Sequence, residues 1–395
     1  MIFQTFDDKK KCVAVFANGK IFKFNKLSES FTKTWDYSEI LKNRNIEYAK
    51  YYCDGKTLDE VCPDHLRQEW QEVRKKLEAF HTAVHEAKLD LQEHCFFDLV
   101  PPHFLLNYGH VKGKICAHIF SNFKKPNNYD FKTALVKVLT EIKNTKLNID
   151  VDSLEDRRHE FKVRRFLKKI NKTSPYIIYD MEGTKTGRLT SKDFPILTMD
   201  KAYRTILKPN NKWFLELDYN AAELRVMLAL LGRKQPQEDL HEWNLKNVYG
   251  GTGTRDEAKK RIFAWLYNPE SKDRLLNKEY DRDSVLQKYY NGSQVTTLWN
   301  RTIDSDDHHA LNYIIQSTAA DLFLRQMINV WKLLKDKKSQ IAFCLHDSLV
   351  IDLAEEDEEA VNIIKEEFAN TELGKFKVNV FGGKNFGEMK RMNVR

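Results

Sequence analysis

The chain has 395 residues, 42% of them hydrophobic and 31% charged, with a formal net charge of +8. Length allows two or three domains, and the apolar fraction supports packed cores, which excludes an intrinsically disordered chain. A modest basic surplus fits a nucleic-acid partner without establishing one.

The six cysteines, at 12, 53, 62, 95, 116 and 344, form no C-x-x-C pair. Their spacing suits neither a zinc site nor a disulfide scaffold, so free thiols in a reducing compartment are expected. The opening "MIFQTFDDKKKCVAVF" lacks a long apolar stretch and carries early acids, a poor signal peptide and a poor presequence. No apolar run reaches the length of a membrane span. A cytoplasmic, membrane-free protein is expected.

In chain order, residues 1–62 read as a small mixed unit. "CVAVFANGKIFKF" predicts a hairpin turning at Asn18-Gly19. A helix follows from Pro63 to about residue 94. Leu66, Trp70, Val73, Leu77, Phe80, Val84, Ala87 and Leu91 recur at steps of three and four. Such a stripe serves an interchain coiled coil or, more commonly, packing on another helix of the same chain. Residues 100–150 carry shorter helical patterns, with loop signals at "PPH" and "KKPNNYD". The run "RRHEFKVRRFLKKINK", residues 157–172, has eight Lys/Arg and one acid and reads as a basic helix. Strands and then a helix are predicted over 176–232, mostly helices over 233–330, and two strands around a polar turn over 341–353.

Two acids stand out. Asp218 ends the apolar strand "WFLELD", and Asp347 sits at the turn in "CLHDSLV". Either alone is ordinarily a turn former or a helix cap. As a pair at the rims of neighbouring elements they would repel, unless one stays protonated or a cation lies between them. Mg²⁺ takes one or two carboxylates plus phosphate oxygens and waters. Two such ions about 3.5–4 Å apart activate an attacking hydroxyl and stabilise a leaving pyrophosphate. On "RDEAKKRIFAWLYN", Arg255, Lys259, Phe263 and Tyr267 recur every four residues, a stripe about 18 Å long with cations at one end and rings at the other. A nucleoside triphosphate has the same polarity. A surface helix with its aromatics turned to the core fits the same pattern. In "NYIIQSTAADLFLRQMI", Asn312 and Gln316 lie one turn apart in an apolar helix. They form either a core network or hydrogen bonds to minor-groove base edges. In "TKTGRLTS", Gly187 permits a tight backbone from which Arg188 projects.

In this order, these segments resemble the polymerase domain of family A, or polymerase-I-type, DNA polymerases. "TGRLTS" is similar to the family's TGRLSS, "LDYNAAELR" to motif A (DYSQIELR), "RDEAKKRIFAWLYN" to motif B, "LNYIIQSTAAD" to the Asn/Gln helix, "CLHDSLV" to motif C (HDE), and "DLHEW" to the D-x-H element. The matching motifs span about 184–353. The resemblance implies an α+β right-hand polymerase: a palm with an antiparallel sheet, helical fingers and a helical thumb, plus a small N-terminal region. The expected boundaries are 1–62 for the N-terminal region, 63–172 for the thumb and connecting helices, 173–232 for the first palm segment, 233–300 for the fingers and 301–395 for the second palm segment.

By the same resemblance, Asp218 and Asp347 hold two Mg²⁺ ions, Mn²⁺ being able to substitute, with the Tyr219 carbonyl as a further ligand. Arg255, Lys259 and His241 grip the triphosphate, Lys259 also counting among the catalytic groups. Phe263 packs on the sugar, Tyr267 lies near the template base, and Glu223 excludes a 2′-hydroxyl. Thr186, Arg188, Asn312, Gln316 and His346 contact primer and template. Partners would be primer–template DNA, dNTPs and replication accessory proteins, on a monomeric enzyme.

Departures from the pattern matter. Ser348 stands where motif C usually has Glu, and Asn220, Ala221 and Ala222 replace Ser, Gln and Ile of motif A. Ala264 and Asn268 replace motif B glycines. The proofreading domain of the family is far larger than residues 1–62 and carries a D-x-E strand absent from them, so a polymerase without its own 3′–5′ exonuclease is expected. A viral or plasmid replication enzyme, or a specialised repair polymerase, fits that architecture. The alternatives are a single-subunit RNA polymerase, against which Glu223 argues, and a nucleic-acid-binding relative that has lost catalysis.

Overall fold

In the computed structural model, which describes residues 1–7, 14–23, 27–91, 93–268 and 270–394, the first hairpin forms where the sequence asks for it. Asn18 and Gly19 both take positive φ, 49° and 73°, the two-residue turn that matches strand twist. The hairpin strands are β2 (Ala14–Ala17) and β3 (Lys20–Lys23), and β1 (Gln4–Phe6) pairs antiparallel with β2. Cys12, at the predicted start of the hairpin, lies outside the described residues. The other five cysteines are buried thiols.

The chain divides into two units, Met1–Asn144 and Thr145–Arg395. In the first, the small sheet is joined by α1 (Arg67–Glu86), α2 (Pro102–Asn122) and α3 (Tyr129–Asn144). The apolar stripe of α1 packs within the chain. Trp70 stacks on Tyr108 of α2 at 6.2 Å, and Phe80 meets Phe104 at 5.0 Å. The helix ends at Glu86, so Ala87 is its C-cap and Leu91 lies beyond it. The "PPH" loop signal is corrected. Pro102 opens a helix of 21 residues, because proline suits a first turn whose N–H has no partner anyway.

The second unit is built on a five-stranded antiparallel sheet. In sequence order its strands are β6 (Trp213–Tyr219), β9 (Gln340–Leu345), β10 (Ser348–Leu353), β11 (Val378–Gly383) and β12 (Lys390–Arg391), arranged β9-β10-β6-β11-β12. Alternation along β6 decides its two faces. Leu215, Leu217 and Tyr219 are buried. Tyr219 stacks at 4.3 Å on Phe368 of the helix Val361–Ala369, and that ring meets Phe323 of the helix Ala310–Leu334. Burying a side chain such as Leu217 contributes ~1.5–3 kcal/mol. Phe214, Glu216 and Asp218 share the opposite face.

Ahead of this sheet come α4 (Phe161–Ile170), which begins later than the basic run does, and the strand pair β4 (Ile177–Asp180) and β5 (Thr190–Asp193). After β6 follow α5 (Ala222–Leu230), α6 (Leu240–Asn247), α7 (Arg255–Tyr267), α8 (Arg274–Glu279) and α9 (Arg282–Tyr289). A short strand pair, β7 (Gln294–Thr296) and β8 (Thr302–Asp304), precedes the long helix α10 (Ala310–Leu334). Among the described residues, no helix is long and apolar enough to cross a membrane.

Candidate active site

β6 ends where β10 begins. Asp218 stands opposite Ser348 in the ladder, and Leu345 stands opposite Ser348 on the other side, leaving His346 and Asp347 as a two-residue turn. His346 takes φ 46° to close it. The two acids therefore approach through strand register, Asp347 being one residue from the partner of Asp218. Asn379 faces Asp218 from β11, and its Nδ2 donates to Asp218 Oδ2 at 3.3 Å.

The charges behave as a crowded pair. Burial, and next the charge of Asp347, push the Asp218 carboxyl up to about 7, against the pull of Asn379 and Lys259. Asp347 sits on an exposed turn, yet protein fills most of the space around its carboxyl. Burial, and then the nearby Glu223 charge, hold it above the usual carboxylate range. Two destabilised carboxylates at one place fit a divalent cation, which would relieve both penalties. Among the described residues, no group of three or more His, Cys, Asp and Glu side chains could hold a metal ion by itself. Tyr219, the third expected ligand, has its ring on the far face and its hydroxyl on the Phe368 carbonyl, so only its backbone is available for such a role.

Helix α7 supplies the cationic stripe. Thr254 and Glu257 form a capping box at its start, fixing Arg255 in the first turn. Arg255 pairs with Asp239 at 2.8 Å. Burial alone would raise Asp239. The Arg255 guanidinium and the N–H groups at the start of α6 overcome it and hold that carboxyl well below the usual range. Lys259 Nζ lies 5.8 Å from the Phe263 ring. Phe263 and Tyr267 stack nearly parallel, 5.8 Å apart, and the His241 ring stands 6.0 Å from Phe263. His241 is 3% exposed, and burial lowers it to about 4, so it is neutral at pH 7. The stripe aromatics Phe263 and Tyr267 thus do not turn into the core, although Trp265 of the same helix does. Phe263 is half-buried and Tyr267 exposed, while Ile262 and Trp265 fill the interior.

Glu223, at the start of α5, accepts from the Tyr267 hydroxyl and from Arg188 at 2.6 Å. Arg188 projects from the turn that Gly187 makes possible. Gly187 has φ 79°, and a Cβ there would strike the Arg301 guanidinium. Arg301 is itself held by Asp321 at 2.6 Å. Thr186 is buried beside this turn. Asn312 and Gln316 are half-buried, not fully buried, and neither side-chain amide has a hydrogen-bond partner among the described residues. The core-network reading of these two side chains is therefore corrected.

Some participants escaped sequence reasoning. Arg225 is fully buried, and its guanidinium donates to the Asn220 carbonyl and side chain and to the Pro236 and Glu238 carbonyls. Asn220 also reaches Asp239 at 2.9 Å. The turn after β6 is thereby tied to the acid that holds Arg255. Glu216 escaped too, although the period of two in "WFLELD" sets it on the face of Asp218.

The chain is similar to known DNA polymerases. Residues 295–388 match DNA polymerase family A. A DNA polymerase I of Caldicellulosiruptor bescii is 26% identical over 244 residues, covering 48% of this chain and 29% of that protein. A thermostable DNA polymerase I of Thermus aquaticus is 23% identical over 386 residues, covering 83% of this chain and 45% of its own. The chain thus spans less than half the length of these relatives. In fold it is similar to the POL domain of Pol1 from M. smegmatis, solved in complex with DNA primer-template and dNTP. That match has a TM-score of 0.67 at 12% identity and covers 98% of this chain and 95% of that one.

Proposed function

We propose that the chain carries a domain of DNA polymerase family A, whose model its residues 295–388 match, and that it extends a primer 3′ end with deoxynucleotides under the direction of a DNA template. The observation that carries this reading is the meeting of Asp218 and Asp347 beside a helix whose Lys259 already acts electrostatically on Asp218. In this reading the five-stranded sheet is the palm, α6 to α9 belong to the fingers, and residues 63–172 serve as the thumb and its connections.

Asp218 and Asp347 would hold two divalent cations, which activate the attacking hydroxyl and stabilise the leaving pyrophosphate when bound. The chain's own groups do the rest. Arg255 and Lys259 neutralise the triphosphate, and neutral His241 offers a hydrogen bond without adding charge. Phe263 and Tyr267 give sugar and base a flat wall. Glu223, pinned by Tyr267 and Arg188, fills the space a 2′-hydroxyl would need. Asn312 and Gln316 keep amides for base edges. Exposed cations on α4 contact duplex phosphates without regard to sequence.

Primer extension with Mg²⁺ and dNTPs, on the wild type and on Asp218→Ala, tests the proposal. Template-dependent extension lost in the variant is expected. A wild type that fails to extend, or extends only with rNTPs, overturns it.

A further inference from the structure

Ser348 is 5% exposed and stands opposite Asp218 in the ladder and next to Asp347 in the chain. Its hydroxyl donates to Glu216 Oε1 at 2.7 Å. Glu216 sits two residues before Asp218, on the same face of β6, and is only half-buried. A serine hydroxyl is a weak ligand for a hard cation, and among the described residues no third carboxylate stands close enough to complete a protein-only cage. Yet a carboxylate is fastened to that serine, one strand pair away. The hydrogen bond ties the Glu216 carboxylate to the residue that stands opposite Asp218, and the Glu216 charge bears on Asp218.

We propose that Glu216 is a further acid of this centre, a positioning residue that Ser348 holds in place and that acts on the cations of Asp218 and Asp347 through their hydration water. The inference rests on the polymerase reading of the site. Its physical basis is that an outer carboxylate accepts hydrogen bonds from the water around a cation and adds negative potential. Loss of such a partner weakens metal affinity about 10–100-fold. Ser348 replaces the family's usual motif C acid, and Glu216 returns the charge from the adjacent strand.

The test measures cation binding directly. Mn²⁺, followed by the EPR signal of the free ion, is titrated into the protein held with a 3′-deoxy-terminated primer–template and an equimolar matching dNTP. Glu216→Gln is expected to weaken Mn²⁺ binding about tenfold. Ser348→Ala should weaken it in the same direction, and the double variant should be no worse than Glu216→Gln, because Ser348 acts through Glu216. Ser348→Glu in the Glu216→Gln background should restore affinity. Thermal melting separates the role from a merely structural one, since the near-isosteric Glu216→Gln should leave the transition where it is. If Asp218→Ala weakens binding while Glu216→Gln and Ser348→Ala do not, this inference is overturned and the polymerase reading stands. If Asp218→Ala leaves Mn²⁺ binding unchanged, the polymerase reading falls and takes this inference with it.

Discussion

Asp218 is held where its charge is costly, and that cost has a sign that can be measured. Burial and the charge of Asp347 raise its carboxyl to about 7, from an ordinary 3.8. Between those values the metal-free folded chain keeps a proton that the unfolded chain releases. Stability from this group therefore declines as pH rises from about 4 to about 7, and stays low above that. Asp218→Asn removes the penalty. It is expected to raise the melting temperature of the metal-free protein near pH 8 and to give no such gain near pH 4. The same proton competes with a cation, so the Mg²⁺ concentration for half-maximal extension should fall as pH rises through about 7. A requirement independent of pH would contradict the assignment. Glu223 carries a second prediction. With Tyr267 and Arg188 holding it, Glu223→Ala should raise ribonucleotide incorporation relative to deoxynucleotide by roughly 10–100-fold, read in single-nucleotide extension. The sequence exposed Asp218 and Asp347 because strand pattern and turn chemistry mark both positions. It exposed Ser348 only as a departure. Its partner Glu216 needed the register of β6 against β10, which no local pattern specifies.

At the scale of elements, α7 and α4 were legible for different reasons. The four-residue spacing of Arg255, Lys259, Phe263 and Tyr267 puts these side chains on one stripe wherever the helix is placed, and the Thr254–Glu257 box marks its start. Thr254→Ala should cost ~1 kcal/mol of stability and raise the KM for dNTP more than it lowers kcat, because Arg255 loses its fixed first turn. The basic run around α4 was legible as charge, though not in extent, since the α-helix covers only Phe161–Ile170. Lys168 and Lys169 are exposed near its end. Converting both to Gln should make the logarithmic salt slope of primer–template binding shallower by about 1.8, at ~0.9 for each phosphate that is no longer neutralised. An unchanged slope would remove α4 from the duplex-binding surface. The "PPH" segment misled because proline breaks a helix everywhere except in its first turn, and a local scan does not say which side of the proline the helix occupies.

For the whole molecule, what matters is that each unit has its own core. In Met1–Asn144, Trp70 stacks on Tyr108, and its indole N–H donates to Asp59 at 2.5 Å. In Thr145–Arg395, Leu217 is fully buried in the central strand of the sheet that carries Asp218. Two cores of this kind need not melt together, because two-state unfolding is a property of single domains. Scanning calorimetry of the full chain is therefore expected to resolve two transitions. Trp70→Ala, at a cost of ~3–5 kcal/mol, should lower one of them and leave the other in place. Leu217→Ala, at ~2–5 kcal/mol, should do the reverse and should also lower primer extension, since it loosens the strand that positions Asp218. The primer–template provides the converse check. A ligand stabilises the transition of the unit that binds it, by an amount set by its concentration relative to Kd. Saturating primer–template with dNTP and Ca²⁺ should therefore raise the transition sensitive to Leu217→Ala. A single transition that both substitutions shift equally would show that the chain folds as one cooperative body.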